Sequence, residues 1–396
     1  MSAAGAAQDA QPRAFFLNDP AVRGVIYQVV VGVLVAGFLV WIVGNTASNL
    51  ADQNKTTGFD FLWRTAGFDI SFSLFPWSRT SFYWEAFLIG ITNTLLVAAI
   101  GIFFATILGF VIGIARLSSN FIISRLATVY IETIRNIPLL LQLFFWYFAV
   151  LKAMPAVRES LALPFNIFIN QRGLFVPRPI FDAQFGWVLV GAALAVIGIV
   201  ALKIWAKRRL DATGKRFPVF FASVGLFLLL TAAFWVLSGA SVVFDPPVLE
   251  RFNFRGGLDL PPEFVALAFG LVIYTASFIA ETVRSGIQAV SHGQTEAAQS
   301  LGLKESDRLR LVIVPQAMRV IVPPLTSQYL NLTKNSSLGA AIGYPELVNV
   351  FAGTSLNQTG RAIECIALTM LVYLTFSLVT SAIMNWYNAR VKLVER

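Results

Sequence analysis

The sequence of 396 residues has very few of the side chains that most often carry catalysis or bind metals. Cys365 is its only cysteine and His292 its only histidine. An intrachain disulfide and a thiolate metal cluster are therefore excluded, and histidine-based catalysis has almost no material. We predict that the chain is not an enzyme and holds no cofactor or metal of its own.

A phosphate-binding loop is also missing from the sequence. Such a loop reads Gly, four residues, Gly-Lys and then Ser or Thr. The dipeptide Gly214-Lys215 lacks both the upstream glycine and the following hydroxyl residue. Any step driven by ATP would therefore need a separate subunit that binds ATP and Mg²⁺.

Charged residues are scarce, at 13% of the chain, against about 25% in soluble domains. Hydrophobic residues make up 57%, and the mean hydropathy is +0.70. These values predict an all-α polytopic membrane protein. The net charge of +9 does not indicate nucleic acid binding, because the positive residues gather in particular loops, as membrane topology requires.

About eight apolar segments are long enough to cross a bilayer, which takes roughly 20 residues in a helix. They cover approximately 25–44, 88–115, 126–151, 185–205, 217–238, 264–287, 312–334 and 362–385.

The Lys and Arg residues of the connecting segments set the orientation. Those that count are Lys203, Lys207, Arg208, Arg209, Lys215 and Arg216 between spans four and five, Arg116 and Arg125 after span two, and Arg390, Lys392 and Arg396 after span eight. An even number of spans puts all of these segments and both termini on one side, and the positive-inside rule makes that side the cytoplasm. Residues 1–20 are predicted to be a cytoplasmic tail, since they lack the apolar core of a signal peptide.

The predicted outer loops are 45–85, 152–184 and 239–263. They are rich in proline and aromatic residues, and the first carries Trp63, Trp77 and Trp84. Tryptophan at a membrane edge is often a plain interfacial anchor. The alternative is a docking surface for a periplasmic binding protein.

Residues 288–311 form a short polar segment between spans six and seven, which must lie in water. This segment and the start of the next span read Glu296-Ala297-Ala298, three residues, Gly302, nine residues and Val312-Ile313-Val314-Pro315. The pattern resembles the cytoplasmic coupling loop of bacterial ABC importer permeases, with valines in place of two family residues.

The resemblance implies that this coupling loop contacts a separate ATPase subunit. Ala297 and Ala298 are small and allow close approach of a partner, and Glu296 is available to a basic group there. Gly302 is predicted to end one short helix, so that the chain turns into another. Pro315 is predicted to begin the next span, where its missing donor costs little.

Four ordered motifs are similar to segments of the polar amino acid ABC importer permeases, although Asn136-Ile137 stand where that family usually has Gly-Thr. They are Thr92-Asn93-Thr94-Leu95, Glu132 to Gln142, Glu281 to Ile287, and Asn331 to Leu338. The resemblance implies a type I permease core of five helices, made of spans two, three, six, seven and eight. The core is divided into 86–151 and 262–390, with a tail, first span and periplasmic loop in 1–85 and two additional spans in 152–261. The length and the inserted spans are most similar to permeases of general L-amino acid importers.

The resemblance further implies a function and a set of partners. The chain would be the transmembrane subunit of an importer that moves L-amino acids from periplasm to cytoplasm across the bacterial inner membrane by alternating access. Its partners would be an ATPase dimer, a periplasmic amino acid-binding protein and a second permease subunit, preferably a different chain. An ion-coupled secondary transporter is the alternative, and a membrane enzyme is a third class that the missing residues disfavour.

Two acid–base pairs lie in the cytoplasmic halves of spans. Glu132 and Arg135 are three residues apart, as are Glu281 and Arg284, so each pair is predicted to neutralise itself on a helix surface. Such pairs either steady the bundle or form a cytoplasmic gate.

Prolines are predicted to kink two spans near the membrane centre. They are Pro138 in span three and the Pro323-Pro324 pair in span seven. The kinks either aim free carbonyls at a polar cavity or serve helix packing.

Span seven holds the best substrate candidates. Gln328, Asn331 and Asn335 follow i, i+3, i+7 spacing and share one face. Carboxamides both donate and accept, which suits the ammonium and carboxylate of an amino acid; the alternative is hydrogen bonding between helices. Gln142 is a weaker candidate for the same cavity. Many relatives carry acidic residues at the positions of Gln328 and Asn335. Because this chain has amides there, it lacks that fixed negative charge, and we expect neutral or acidic amino acids to be favoured over cationic ones.

Overall fold

The computed structural model describes residues 20–52, 58–215 and 217–391. The predicted tail 1–20 lies outside the described residues except for Pro20, as do Arg216, Lys392 and Arg396. The helices are α1 Pro20–Asp52, α2 Tyr83–Arg116, α3 Phe121–Asn136, α4 Leu139–Phe144, α5 Phe185–Thr213, α6 Val219–Ser238, α7 Pro262–Gln288, α8 His292–Ser300, α9 Glu305–Arg308, α10 Val314–Asn335, α11 Leu356–Thr359 and α12 Ala362–Val391.

Seven helical segments among the described residues are long and apolar enough to span a membrane, and a bent pair makes an eighth. The prediction of a helical membrane protein with about eight spans is therefore confirmed. Helix α7 lies at the centre of the bundle and contacts α2, α3 and α10, while α10 also contacts α12. These helices are the predicted five-helix core.

Helices α2 and α7 pack closely because α2 carries small residues at every fourth position. Ala105 is fully buried, and a Cβ atom at Gly109 would lie 2.6 Å from the Ile279 Cβ atom. At Gly113 such an atom would lie 2.7 Å from the Ala280 carbonyl oxygen. Small residues let membrane helices approach until their backbones nearly touch, and here they fix α2 against the element that leads into the coupling loop.

The third predicted span is not one straight helix. Helices α3 and α4, the latter continued by a π-helical turn Phe145–Leu151, meet at an angle of 104°. Pro138 removes a backbone donor, and Ile137 before it is extended, with φ −103° and ψ 126°. The proline therefore produces a full break, sharper than the kink that the sequence predicts.

Gln142 supplies hydrogen bonds to the backbone at this break. It does not lie in a substrate cavity, where the sequence analysis placed it. Its side chain is 5% exposed, and Nε2 donates to the carbonyl oxygens of Ile134 and Ile137, at 2.9 Å each. Those carbonyls lose helical partners at the break, and an unpaired backbone group in an apolar setting is costly. We therefore assign Gln142 to the helix break rather than to the pathway.

The inserted region forms a helical hairpin on a small β-layer, where the sequence predicts only loops outside the two additional spans. The strands are β1 Leu161–Leu163, β2 Ile167–Asn170, β3 Gly173–Val176, β4 Arg178–Phe181, β5 Val242–Asp245, β6 Val248–Glu250, β7 Asn253–Arg255 and β8 Leu258–Leu260. All pairings are antiparallel, in the orders β1-β2-β3-β8, β4-β5 and β6-β7.

The β-layer joins the chain on both sides of the α5–α6 hairpin. Strand β4 leads into α5 and pairs with β5, which follows α6, and β3 pairs with β8, which leads into α7. Both α5 and α7 therefore start at this layer and run to the opposite end of the bundle. The α5–α6 turn and the coupling loop consequently lie at the same end.

Candidate functional site

The predicted coupling loop is a helix–turn–helix. Helix α8 ends at Gly302, which has φ +70°, and α9 follows at Glu305. The amide of Leu303 donates to the Ala298 carbonyl at 3.2 Å, and that of Gly302 donates to Gln299 at 2.8 Å. This is the Schellman arrangement, which needs a left-handed residue at the glycine position. The predicted helix end at Gly302 is confirmed.

The two helices present an open surface on their outer side. Glu296 and Ala297 are exposed, whereas Ala298 is 3% exposed and packs inward. Leu301, at the turn, is 80% exposed. The Glu296 carboxylate lies 3.4 Å from the His292 Nδ1 atom on the same helix face. This exposed surface, which carries the apolar Leu301 beside the Glu296 carboxylate, is suited to contact with another protein.

Pro315 lies in the first turn of α10, as the sequence predicts, but no break separates α10 from the coupling loop. The chain is helical without interruption from Glu305 to Ile342, a segment of 38 residues. A π-helical turn, Leu309–Ile313, lies directly before α10. Its wider hydrogen-bond spacing occurs where the proline has no donor to offer. The coupling loop is thus rigidly continuous with α10, which also runs through Pro323-Pro324 without a break.

The predicted gate pairs are joined by a residue that the prediction omitted. Arg116, at the end of α2, bonds to Glu281 and to Glu132, the latter at 3.1 Å. Glu281 also pairs with Arg284, as expected. One carboxylate thus accepts from two guanidinium groups, and one guanidinium joins α2, α3 and α7. Such a charge-assisted network is stronger than separate exposed pairs.

Glu132 and Arg135 do not pair in the described chain, so this part of the prediction is wrong. The guanidinium of Arg135 instead lies 5.1 Å from the centre of the Phe278 ring, a cation–π contact with α7. Spacing along one helix cannot reveal a competing partner on another. The only sequence signal for Arg116 is its position at the cytoplasmic end of span two.

The amide face of α10, formed by Gln328, Asn331 and Asn335, lies at the border between the packed and the exposed side of the helix. Asn331 is exposed and the other two are half-buried. Leu325 and Leu332, on the adjoining packed side, are 4% and 0% exposed. Within the described residues none of the three amide side chains bonds to another helix. The alternative of interhelical hydrogen bonds is not formed in this chain, and the amides are available to another molecule.

A buried polar cluster that carries no predicted role fixes the outer end of the bundle. Asn93 donates to the carbonyl oxygens of Phe72 and Pro345 at 2.9 and 2.8 Å. Glu346, in the segment between two spans, accepts from the amides of Val348 and Asn349, at 2.8 Å each. Burial raises the pKa of Glu346 to about 7, and the hydrogen bonds oppose that rise. The cluster anchors the segment after α10 to α2 and caps the helix that follows.

Comparison with known proteins decides the family. Residues 193–393 match the family described as the binding-protein-dependent transport system inner membrane component. The chain belongs to this family. The matched residues include α7 to α12 and therefore both the coupling loop and the amide face.

Relatives of nearly the same length share the whole architecture. The general L-amino acid transport system permease protein AapQ of Rhizobium johnstonii is 52% identical, over 96% of this chain and 95% of that one. The putative amino-acid ABC transporter permease protein YhdX of Escherichia coli is 49% identical, over 96% of both chains. The glutamate/glutamine/aspartate/asparagine transport system permease protein BztB of Rhodobacter capsulatus is 41% identical, again over 96% of both. The resemblance to amino acid ABC importer permeases is confirmed.

The geometry predicts that Arg116, and not Arg135, is coupled to Glu132. In a double-mutant cycle, Arg116→Gln and Glu132→Gln should lower the Tm of the purified protein by non-additive amounts, since contacting residues typically couple by about 0.5–3 kcal/mol. The matched cycle of Arg135→Gln with Glu132→Gln should be additive. Thermal unfolding in detergent measures both. Coupling in the second cycle and additivity in the first would contradict the network.

Gly302 should be replaceable only where the left-handed backbone is kept. A Cβ atom there meets nothing within 4 Å, so the cost is conformational rather than steric. Gly302→Val should abolish transport while the protein remains inserted, and Gly302→Asn, which tolerates this conformation, should keep most of it. Gly302→Asp and Glu296→Lys, which change the charge of the exposed surface, should also abolish transport. Uptake normalised to membrane content measures these effects, and wild-type uptake by Gly302→Val would refute a coupling role for the turn.

Proposed function

We propose that this chain is a transmembrane permease subunit that imports L-amino acids by alternating access, driven by ATP hydrolysis on a separate ATPase dimer. The observation that carries the proposal is the unbroken helix from Glu305 to Ile342, which follows the coupling loop and bears the amide face. A movement imposed on the coupling loop is passed directly to the groups best suited to hold substrate.

The energy source is assigned to the partner because the chain has no phosphate-binding loop. ATP and Mg²⁺ would be bound by the ATPase subunits, which contact the exposed surface of α8. Closure of those subunits would shift the permease only if the two states differ in their contacts with it. The network around Arg116 lies at the same end, where a gate would have to open.

The amide face supports a pathway that is completed by a second permease subunit. Asn331 is exposed on the single chain and the other two amides are half-buried, and a polar face toward lipid would be costly. A second subunit, preferably a different permease, would cover this face and enclose the substrate. A periplasmic binding protein would deliver the amino acid at the end that carries the β-layer. Both termini would then lie in the cytoplasm of a bacterium, and the protein in its inner membrane.

The amino acid range follows from charge. The amide face has no carboxylate, and Lys334 next to it is exposed, so a cationic side chain finds no counter-ion there. Relatives named for general L-amino acids and for glutamate, glutamine, aspartate and asparagine agree with neutral and acidic substrates. An ion-coupled secondary transporter has no use for the coupling loop and is not favoured.

The decisive experiment is uptake of labelled glutamate into proteoliposomes that contain the affinity-purified complex, with and without enclosed ATP. We expect uptake only with ATP and added binding protein, and unchanged uptake when sodium and proton gradients are collapsed. Uptake that ignores ATP and follows an ion gradient would overturn the proposal.

Selectivity should respond to charge on the amide face. In the same assay, unlabelled glutamine should compete with glutamate far better than arginine does. Asn331→Asp should shift the ratio of glutamate to arginine uptake toward arginine by about tenfold, the equivalent of 1.4 kcal/mol. Gln316→Glu, which adds the same charge near the start of α10, is the control and should leave the ratio unchanged. Preference for arginine by the unmodified complex would contradict the expected range.

A further inference from the structure

The α5–α6 hairpin has a groove along one side near its turn. Two adjoining cavities, of about 320 and 470 Å³, share Lys203 and Val219 as lining residues. Most of the remaining lining is apolar and comes from both helices: Ile199, Leu210, Phe217, Phe220, Val224, Phe227 and Leu228.

The sequence of the hairpin dictates where this groove lies. At the end near the β-layer the helices touch, since a Cβ atom at Gly191 would lie 2.7 Å from the Phe234 Cβ atom. Close approach continues to Gly198, where the distance to the Leu226 Cδ2 atom would be 3.0 Å. Past this point the facing side chains are larger. Lining residues of α5 recur three and four positions apart, as on one helix face.

Positive charge is concentrated at the groove's end. Lys203 and Lys207 line it, and neither forms an ion pair within the part of the chain that the structure describes. Arg209 lies on another face of α5, outside the groove, and stacks 5.3 Å from the Trp205 ring centre. From α5 to the start of α6 the only acid is Asp211, which is exposed. The site therefore attracts an anion.

A buried hydroxyl group lies in the wall of the groove. The Oγ atom of Ser223 is buried without a hydrogen-bond partner among the described residues, although it lies in the wall of the larger cavity. Buried polar atoms normally have a partner. Because the atom itself is buried, it meets an occupant of the groove only if the Ser223 side chain turns.

The surroundings of the hairpin indicate which anion fits. Helix α6 has none of its apolar window buried in the chain, so its outer surface faces the bilayer. A free inorganic anion would leave the apolar length of the groove unexplained, and a neutral apolar molecule would leave the lysines unexplained. Basic pockets between membrane helices on the cytoplasmic side bind anionic lipid headgroups.

We propose that this groove binds one anionic phospholipid of the cytoplasmic leaflet. The headgroup phosphate lies between Lys203 and Lys207, and an acyl chain follows the apolar wall formed by Phe220, Val224 and Phe227. The site is distinct from the transport pathway and does not depend on which amino acid is carried.

Native mass spectrometry of the purified full chain with equal amounts of phosphatidylglycerol and phosphatidylethanolamine tests the proposal. The wild type should retain one phosphatidylglycerol, and the Lys203→Gln/Lys207→Gln variant should bind it about thirtyfold more weakly, which corresponds to about 1 kcal/mol for each lysine. The control Arg208→Gln/Lys215→Gln removes the same charge from the same turn but not from the groove, and it should bind like the wild type. Equal losses in both variants would mean general charge attraction and would overturn the proposal.

Filling the groove provides an independent test in which both lysines are kept. Val224→Trp should also displace the lipid, whereas retention of phosphatidylglycerol by this variant would overturn the proposal. Competition by inorganic phosphate as effective as by lipid would mean a free anion site and would overturn it as well. A photo-crosslinker at Phe220 in the assembled complex should label lipid; labelling of a partner subunit would show that a protein covers the groove.

Discussion

The bilayer supplies no hydrogen bonds, and this constraint governs where the backbone can be irregular. In a straight helix the backbone N–H and C=O groups bond to one another, so each irregular segment needs another hydrogen-bond partner for its backbone. At Pro138 that partner is Gln142, whose Nε2 atom bonds to both carbonyls at the break. At Pro315 it is a π-helical turn, and at Gly302, outside the apolar region, it is the Schellman pair of bonds. Each of these three irregular points therefore has an identifiable cause.

Between these points the helices are continuous, so a movement of the coupling loop can be transmitted along α10. Helix α10 begins where the loop ends and carries the amide face about four turns further on. It packs on α7, where a Cβ atom at Gly286 would lie 2.3 Å from the Ile321 Cγ1 atom, while α7 is held against α2 by glycine contacts and by Arg116. Packed membrane helices shift as bodies and do not bend continuously. A change at the coupling loop can thus reach the amide face and the charge network together.

Local features of the chain were predictable because they depend on neighbours in sequence. The spans, the turn at Gly302, the pair Glu281–Arg284 and the shared face of the three amides all follow from residue spacing. The role of Gln142, the contacts of Arg116 and the β-layer did not follow, since each depends on a partner far along the chain. Strand β3, for example, pairs with β8 across more than eighty residues, and strands of three or four residues leave little periodicity to read.

The amide face and the lipid groove are both exposed in the isolated chain, yet their chemistry requires different neighbours. Three carboxamides on a membrane helix need hydrogen-bond partners, which lipid tails cannot provide. This face is therefore suited to a subunit interface with an aqueous pathway. The groove offers apolar walls and cations at one end, which the leaflet itself can satisfy. In the proposed assembly, the core directs its polar surface toward a second subunit, while the inserted hairpin directs its own surface toward the membrane. On this reasoning the hairpin is an anchor for the β-layer and does not form part of the pathway.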